Sequence, residues 1–83
     1  RSEQLNSLGY RLINENKPDI AKVIFQLNAK SNPDDFNVWD SLGEIYMLLG
    51  ENEKAIESYE KSLELYSGNT NAADMIKKLK AKD

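Results

Sequence analysis

Leu5, Leu8 and Leu12 recur at i, i+3 and i+7, and so do Trp39, Leu42 and Tyr46. That spacing draws one apolar stripe along an α-helix. Further stripes run through Ala21 and Phe25, through Ala55 and Tyr59, and through Ala73, Met75, Ile76 and Leu79. No segment alternates apolar and polar residues over the length of a half-buried strand. The pattern predicts five helices, over about 3–15, 18–31, 35–49, 53–66 and 70–81. The turns agree with it. Gly50 is placed to end a helix in the left-handed conformation, with Asn52 as the next N-cap. Asn16 stands where a glycine would, and Asn tolerates that conformation next best. Pro18 fits a first helical turn, Asn32-Pro33-Asp34-Asp35 breaks the chain and supplies caps, and Gly68-Asn69 does the same before the last segment.

The chain repeats itself after 34 residues. Leu5 then pairs with Trp39, Leu8 with Leu42, Gly9 with Gly43, Leu12 with Tyr46, Ala21 with Ala55, Phe25 with Tyr59 and Asn28 with Ser62. Size and polarity match where a helical hairpin needs them. Each glycine removes a side chain so that a second helix can approach closely. That helix brings a small residue, Ala21 or Ala55, and a ring four positions later.

The second repeat, Trp39-x2-Leu42-Gly43-x2-Tyr46-x3-Gly50-x4-Ala55-x3-Tyr59-x3-Leu63, resembles the tetratricopeptide repeat signature. The first repeat is looser, with Leu5 for the aromatic and Asn16 for the glycine, and Ser67 replaces the usual closing proline. The resemblance implies an all-α fold: a right-handed superhelix of two helical hairpins, residues 2–35 and 36–69, plus a capping helix at 70–83, in one domain. Solenoids need such a polar-backed cap to end the stack. The run from Asn32 through Glu44 is also similar to repeats appended to the C-termini of larger bacterial enzymes, notably serine hydrolases. A chain that opens on Arg1 and is helical from Leu5 reads as a segment of a longer protein, with the C-terminus of that protein at its end.

Composition narrows the chemistry. The 83 residues suffice for one domain, and 40% hydrophobic with 30% charged is an ordinary balance for a folded chain. A net charge of −3 argues against nucleic acid, which demands clustered cations. The one basic cluster, Lys77, Lys78, Lys80 and Lys82, falls in the last turns of a helix, where cations complement the macrodipole. No apolar run reaches the ~20 residues of a membrane span. Cysteine and histidine are absent, which removes disulfides, thiolate nucleophiles, ordinary zinc sites and imidazole bases. Ser58 with Lys54 or Lys61 is the one conceivable nucleophile–base pair, and the pattern puts all three on an exposed side. Glu51, Glu53, Glu57, Glu60 and Glu64 alternate with Lys54 and Lys61 as a solvated, ion-paired face rather than a metal site. No glycine-rich phosphate loop occurs. The expectation is a non-enzyme without catalytic residues, cofactor or metal. The compartment, cytoplasm or periplasm, is not decided by the sequence.

Two surfaces are candidates for binding. The first is the concave groove that the resemblance implies, lined by the first helix of each hairpin. Its residues here are Asn6, Tyr10, Ile13, Asn37, Asp40, Ser41, Glu44 and Met47, with Asp74 and Lys78 extending it. Their acidic and amide character suits a basic or polar peptide. Family members that hold acidic chaperone tails use a clamp of Lys, Asn and Arg. The corresponding positions, Asn6, Tyr10, Ser41, Asn71 and Met75, lack the cations, so no such binding is expected. The second surface is the stripe Ile20, Val23, Ile24 and Leu27, at i, i+3, i+4 and i+7. Its counterparts one repeat later are Lys54, Glu57, Ser58 and Lys61. A helix apolar around most of its girth is buried on two sides, so the stripe is expected to be covered by a homodimer partner, another protein or a domain of the parent chain. The function expected is therefore a protein–protein interaction module. The alternative is a structural C-terminal tail that stabilises or dimerises a larger enzyme, with no ligand of its own.

Overall fold

The computed structural model describes residues 1–82. They form α1 (Ser2–Asn14), α2 (Pro18–Ser31), α3 (Phe36–Leu48), α4 (Asn52–Leu65) and α5 (Thr70–Ala81), and no strand occurs among the described residues. Helices adjacent in sequence pack on each other, and α1 also touches α3. The fold is all-α, as the period of the stripes predicts.

The helix ends follow from local chemistry. Asn16 (φ 62°) and Gly50 (φ 78°) carry the two left-handed turns that reverse the chain inside each hairpin. The amide after each bonds back over the helix end, Lys17 to the Leu12 carbonyl and Glu51 to the Tyr46 carbonyl, both at 2.8 Å. Asp35 caps α3 by accepting from the Asn37 amide, and Asn69 caps α5 by accepting from the Ala72 amide. Asn52 is not the cap expected of it. Glu51 occupies that position without a side-chain bond to the helix-end amides, and Asn52 is already helical. The tight left-handed turn at Gly50 starts the next helix one residue sooner than Asn52 would as a cap.

The core collects Ala21, Phe25, Ala29, Val38, Leu42, Ile45, Tyr46, Ala55, Tyr59, Ala72 and Leu79. Burying the larger of these contributes roughly 1.5–3 kcal/mol each. Phe25 fills the space above Gly9, and Tyr59 fills the space above Gly43. The repeat carries hydrogen bonds as well as packing. The Asn28 amide donates to the Ser2 carbonyl at 2.9 Å, and the Ser62 hydroxyl donates to the Phe36 carbonyl at 2.8 Å. Donor and acceptor are 26 residues apart in both cases, so each hairpin ties its second helix to the first residue of its first. Both donors are fully buried.

Two expectations are corrected here. The buried side of α5 is Ala72 and Leu79 with Met75 and Ile76 partly covered, while Ala73 is exposed. The cap at Asn69 fixes the phase of the helix, which turns Ala72 inward. Ser58 is buried, not exposed. It lies on the turn between Ala55 and Ser62, both fully buried, so its small side chain belongs to the packed face of α4.

Candidate functional site

The odd-numbered helices lie side by side and are cross-linked along one surface. Tyr10 of α1 bonds to two residues of α3, Ser41 Oγ at 3.2 Å and Glu44 Oε1 at 2.7 Å. A phenol has one proton, and a carboxylate can only accept, so Tyr10 donates to Glu44 and accepts from Ser41. From α5, Asn71 Nδ2 donates to both carboxylate oxygens of Asp40 at 3.0 and 3.2 Å. Asn69 Nδ2 joins from the turn, reaching Asp40 Oδ2 at 2.7 Å and Ser62 Oγ at 2.8 Å. Asp40 is thus the hub on which the second hairpin and α5 meet. The sequence gives Asn69 as a cap and hides its other two bonds, because partners 29 and 7 residues away leave no local pattern.

The expected groove residues fall into three depths. Asn37 and Glu44 are exposed. Asn6, Tyr10, Ile13, Asp40 and Met47 are half-buried, with Tyr10, Ile13 and Met47 packed against the core. Ser41 is buried beneath the Tyr10 hydroxyl and supports the surface rather than facing solvent. Toward the start of α1 and α3 lies an open cleft of about 600 Å³, lined by Ser2, Glu3, Asn6, Ser7, Asp35, Phe36, Asn37 and Val38. Asn6 Oδ1 is buried there with no hydrogen-bond partner.

The electrostatics of this side are acidic. Glu3, Asp35, Asp40 and Glu44 are its charged groups on α1, on α3 and at the α3 cap. Burial pushes the Tyr10 hydroxyl up to about 12, and the bond to Glu44 and the charges of Glu44 and Asp40 act the same way. Burial likewise raises Tyr59, with Asp40 and Glu44 adding to it.

On the back of the molecule, Ile20, Val23 and Leu27 are 51%, 57% and 48% exposed, and Ile24 is half-buried. The α4 face that replaces them one repeat later is ionic: Lys54 pairs with Glu51, Lys61 with Glu64, and Glu60 with Lys80 of α5. Among the described residues no group of three carboxylates converges to hold a metal ion. No described helix is long and apolar enough to cross a membrane.

Residues 36–69 match the tetratricopeptide repeat family model. Residues 36–69 are thus a tetratricopeptide repeat, and the fold of the whole chain is similar to that of solved tetratricopeptide repeat proteins. Two structures of MamA, one from AMB-1 and one of a mutant form, superpose on 99% of this chain with TM-score 0.85 and 26% identity. This chain spans 45% of the MamA chain in each. A tetratricopeptide repeat domain protein from Salinibacter ruber superposes on 99% of this chain and 94% of its own, with TM-score 0.79 and 19% identity, a likeness of fold. No curated protein matches the chain by sequence. Tetratricopeptide repeats are, as a class, protein–protein interaction modules.

Proposed function

We propose that this tetratricopeptide chain binds an extended peptide segment of basic or amide-rich character along the face of α1, α3 and α5. Residues 2–35 and 36–69 act as two repeat units with α5 as a cap on the second, and position 83 of the 70–83 cap lies outside the described residues. The observation that carries the reading is the open cleft between the starts of α1 and α3, whose wall sets the amide side chains of Asn6 and Asn37 beside Glu3 and Asp35. Side-chain amides such as these can accept from a peptide N–H and donate to a peptide carbonyl. The acidic surroundings, Glu3, Asp35, Asp40 and Glu44, select for lysine or arginine beside that N–H. All four are anionic, so a peptide ending in an acidic cluster meets like charge along α1 and α3.

The test is calorimetric titration with pairs of unstructured peptides that differ only in carrying lysine or glutamate. The lysine peptide binds with a Kd of order micromolar, weakens as salt is added, and weakens further against Asn6→Ala and Glu44→Gln. Equal binding of both peptides, or indifference to Asn6→Ala, would reject the groove reading.

A further inference from the structure

The groove changes character along its length. Ser2 Oγ donates to Asp35 Oδ2 at 3.0 Å, and Tyr10 donates to Glu44 Oε1 at 2.7 Å. The partners are 33 and 34 residues apart, so α1 and α3 run parallel and in register across this face. Up to the Tyr10–Glu44 bridge the face is amide and acidic. One turn further it becomes aliphatic. Ile13 follows Tyr10 at i+3, and Met47 and Leu48 follow Glu44 at i+3 and i+4, the spacings that keep side chains on one side of a helix. Ile13 and Met47 stand at the same level of the two helices, half-buried against the core. Leu48 is 58% exposed and takes no part in the core.

The two carboxylates of α3 are not equally free to take a ligand. Asp40 already accepts three N–H bonds, one from Asn69 and two from Asn71. A carboxylate has about four lone-pair sites, so a ligand cation at Asp40 competes with those amides. Glu44 is exposed and accepts from Tyr10 through Oε1 alone among the described residues. It is therefore the carboxylate that a ligand cation reaches without displacing a bond. The neighbouring charges bound the site. Lys78 is the counterpart of Glu44 on α5 and is exposed, so it turns a cation away from that side. Asn14 edges the aliphatic patch as an exposed amide. In the turns beneath the patch the charges are already paired, Lys17 with Glu15, and Lys22 and Lys54 with Glu51.

A single exposed leucine needs no explanation by itself. The position of Leu48, one turn from an acceptor with spare capacity and beside Met47 and Ile13, gives it one. Four residues of α-helix rise about 6 Å. In an extended peptide, side chains two residues apart point the same way and are separated by roughly 6.6–6.8 Å. A peptide lying along α3 with a cation on Glu44 therefore brings its next same-side residue onto Leu48 and Met47. The residue between them points to the opposite side, into solvent.

We infer that the groove takes an extended peptide in which a lysine or arginine at Glu44 stands two residues from an aliphatic side chain seated on Leu48, Met47 and Ile13. This rests on the groove reading above and adds the apolar half of its ligand. The test is calorimetric titration of the wild-type chain with two unstructured peptides of identical composition. In one, leucines stand two residues to either side of a central lysine, which serves both chain directions. In the other, the leucines are adjacent to the lysine. A third peptide keeps the spaced arrangement and carries glutamate for the lysine. The spaced lysine peptide binds about tenfold more tightly than the adjacent one, since only it covers Leu48 while its lysine meets Glu44. That preference disappears in Leu48→Ser and persists in Val23→Ser, a change at a residue 57% exposed on α2. The comparison of peptides on wild type stands even where Leu48→Ser fails to fold. Equal binding of the two lysine peptides, with the glutamate peptide weaker than both, overturns this inference and leaves the groove reading in place. A spacing preference that survives Leu48→Ser does the same. Absence of any discrimination between lysine and glutamate overturns both.

Discussion

A Cβ built on Gly9 would lie 2.5 Å from Cε1 and Cζ of Phe25, inside the ring's own volume. Phe25 is fully buried and meets Tyr10 edge-on at 5.2 Å, so it has nowhere to retreat. Ala in place of Gly mid-helix ordinarily gains about 1 kcal/mol. Here overpacking opposes that gain at about 1–3 kcal/mol. Gly9→Ala therefore destabilises by up to about 2 kcal/mol in urea unfolding. Gly43→Ala, whose Cβ would lie 2.9 Å from the Tyr59 ring, costs less. In Phe25→Leu the order reverses, and Gly9→Ala becomes neutral or stabilising. A stabilising Gly9→Ala in the native background would show that the ring is free to move.

The paired bonds Asn28 to Ser2 and Ser62 to Phe36 are not equal in what they leave behind when broken. Ser62 also accepts from Asn69, and Asn69 keeps a second acceptor in Asp40. Ser62→Ala thus orphans chiefly one carbonyl and costs about 1–2 kcal/mol. Asn28 also accepts from Asn32 Nδ2 at 2.8 Å, and its removal opens a larger void. Asn28→Ala costs about 2–3 kcal/mol. Chemical denaturation of the two variants side by side checks the order, and equal losses would sink this account of it.

The two left-handed turns separate conformational cost from packing cost. A Cβ on Gly50 would meet nothing within 4 Å, yet φ is +78°. Gly50→Ala therefore costs about 1 kcal/mol from backbone strain alone, and Gly50→Asn costs less than that. Asn16→Gly is close to neutral, since relief at φ 62° is offset by a freer unfolded chain. Thermal unfolding of the three variants tests the ranking. A neutral Gly50→Ala would contradict it.

These glycines explain why the architecture is legible in the chain while much of the surface is not. Gly9 with Phe25 and Gly43 with Tyr59 are recurrent, local in helical phase and extreme in size, so a 34-residue comparison exposes them. The groove is built otherwise. Tyr10 meets Glu44 across 34 residues and Asp40 meets Asn71 across 31, and each residue alone reads as an ordinary polar position on a helix. Ser58 misleads for the opposite reason. Its hydroxyl suggests solvent, while its small volume suits the tight packing of α4. Ala72 and Ala73 are indistinguishable until the Asn69 cap sets the helical phase.

The tyrosines give the fold an alkaline limit. Tyr10 titrates at 10.0 when free, and burial, with Glu44 and Asp40 nearby, pushes it up to about 12 in the folded chain. The folded state thus holds this proton more tightly than the unfolded state does. Its contribution to stability is whole below pH 10 and drains as pH rises from 10 through 12. The loss reaches about 1–2 kcal/mol by the top of that window, after solvent around the exposed Glu44 is allowed for. Tyr59, raised by burial, adds a slope of the same sign that begins at the same unfolded value of 10.0. Tyr10→Phe removes the first contribution only. It lowers neutral stability by about 1 kcal/mol through the lost bond to Glu44 and makes the decline above pH 10 shallower. Urea midpoints measured at intervals between pH 8 and 12 in wild type and Tyr10→Phe compare the two slopes. Parallel slopes would mean that the Tyr10 hydroxyl titrates alike in both states, against the burial and carboxylate contacts that surround it.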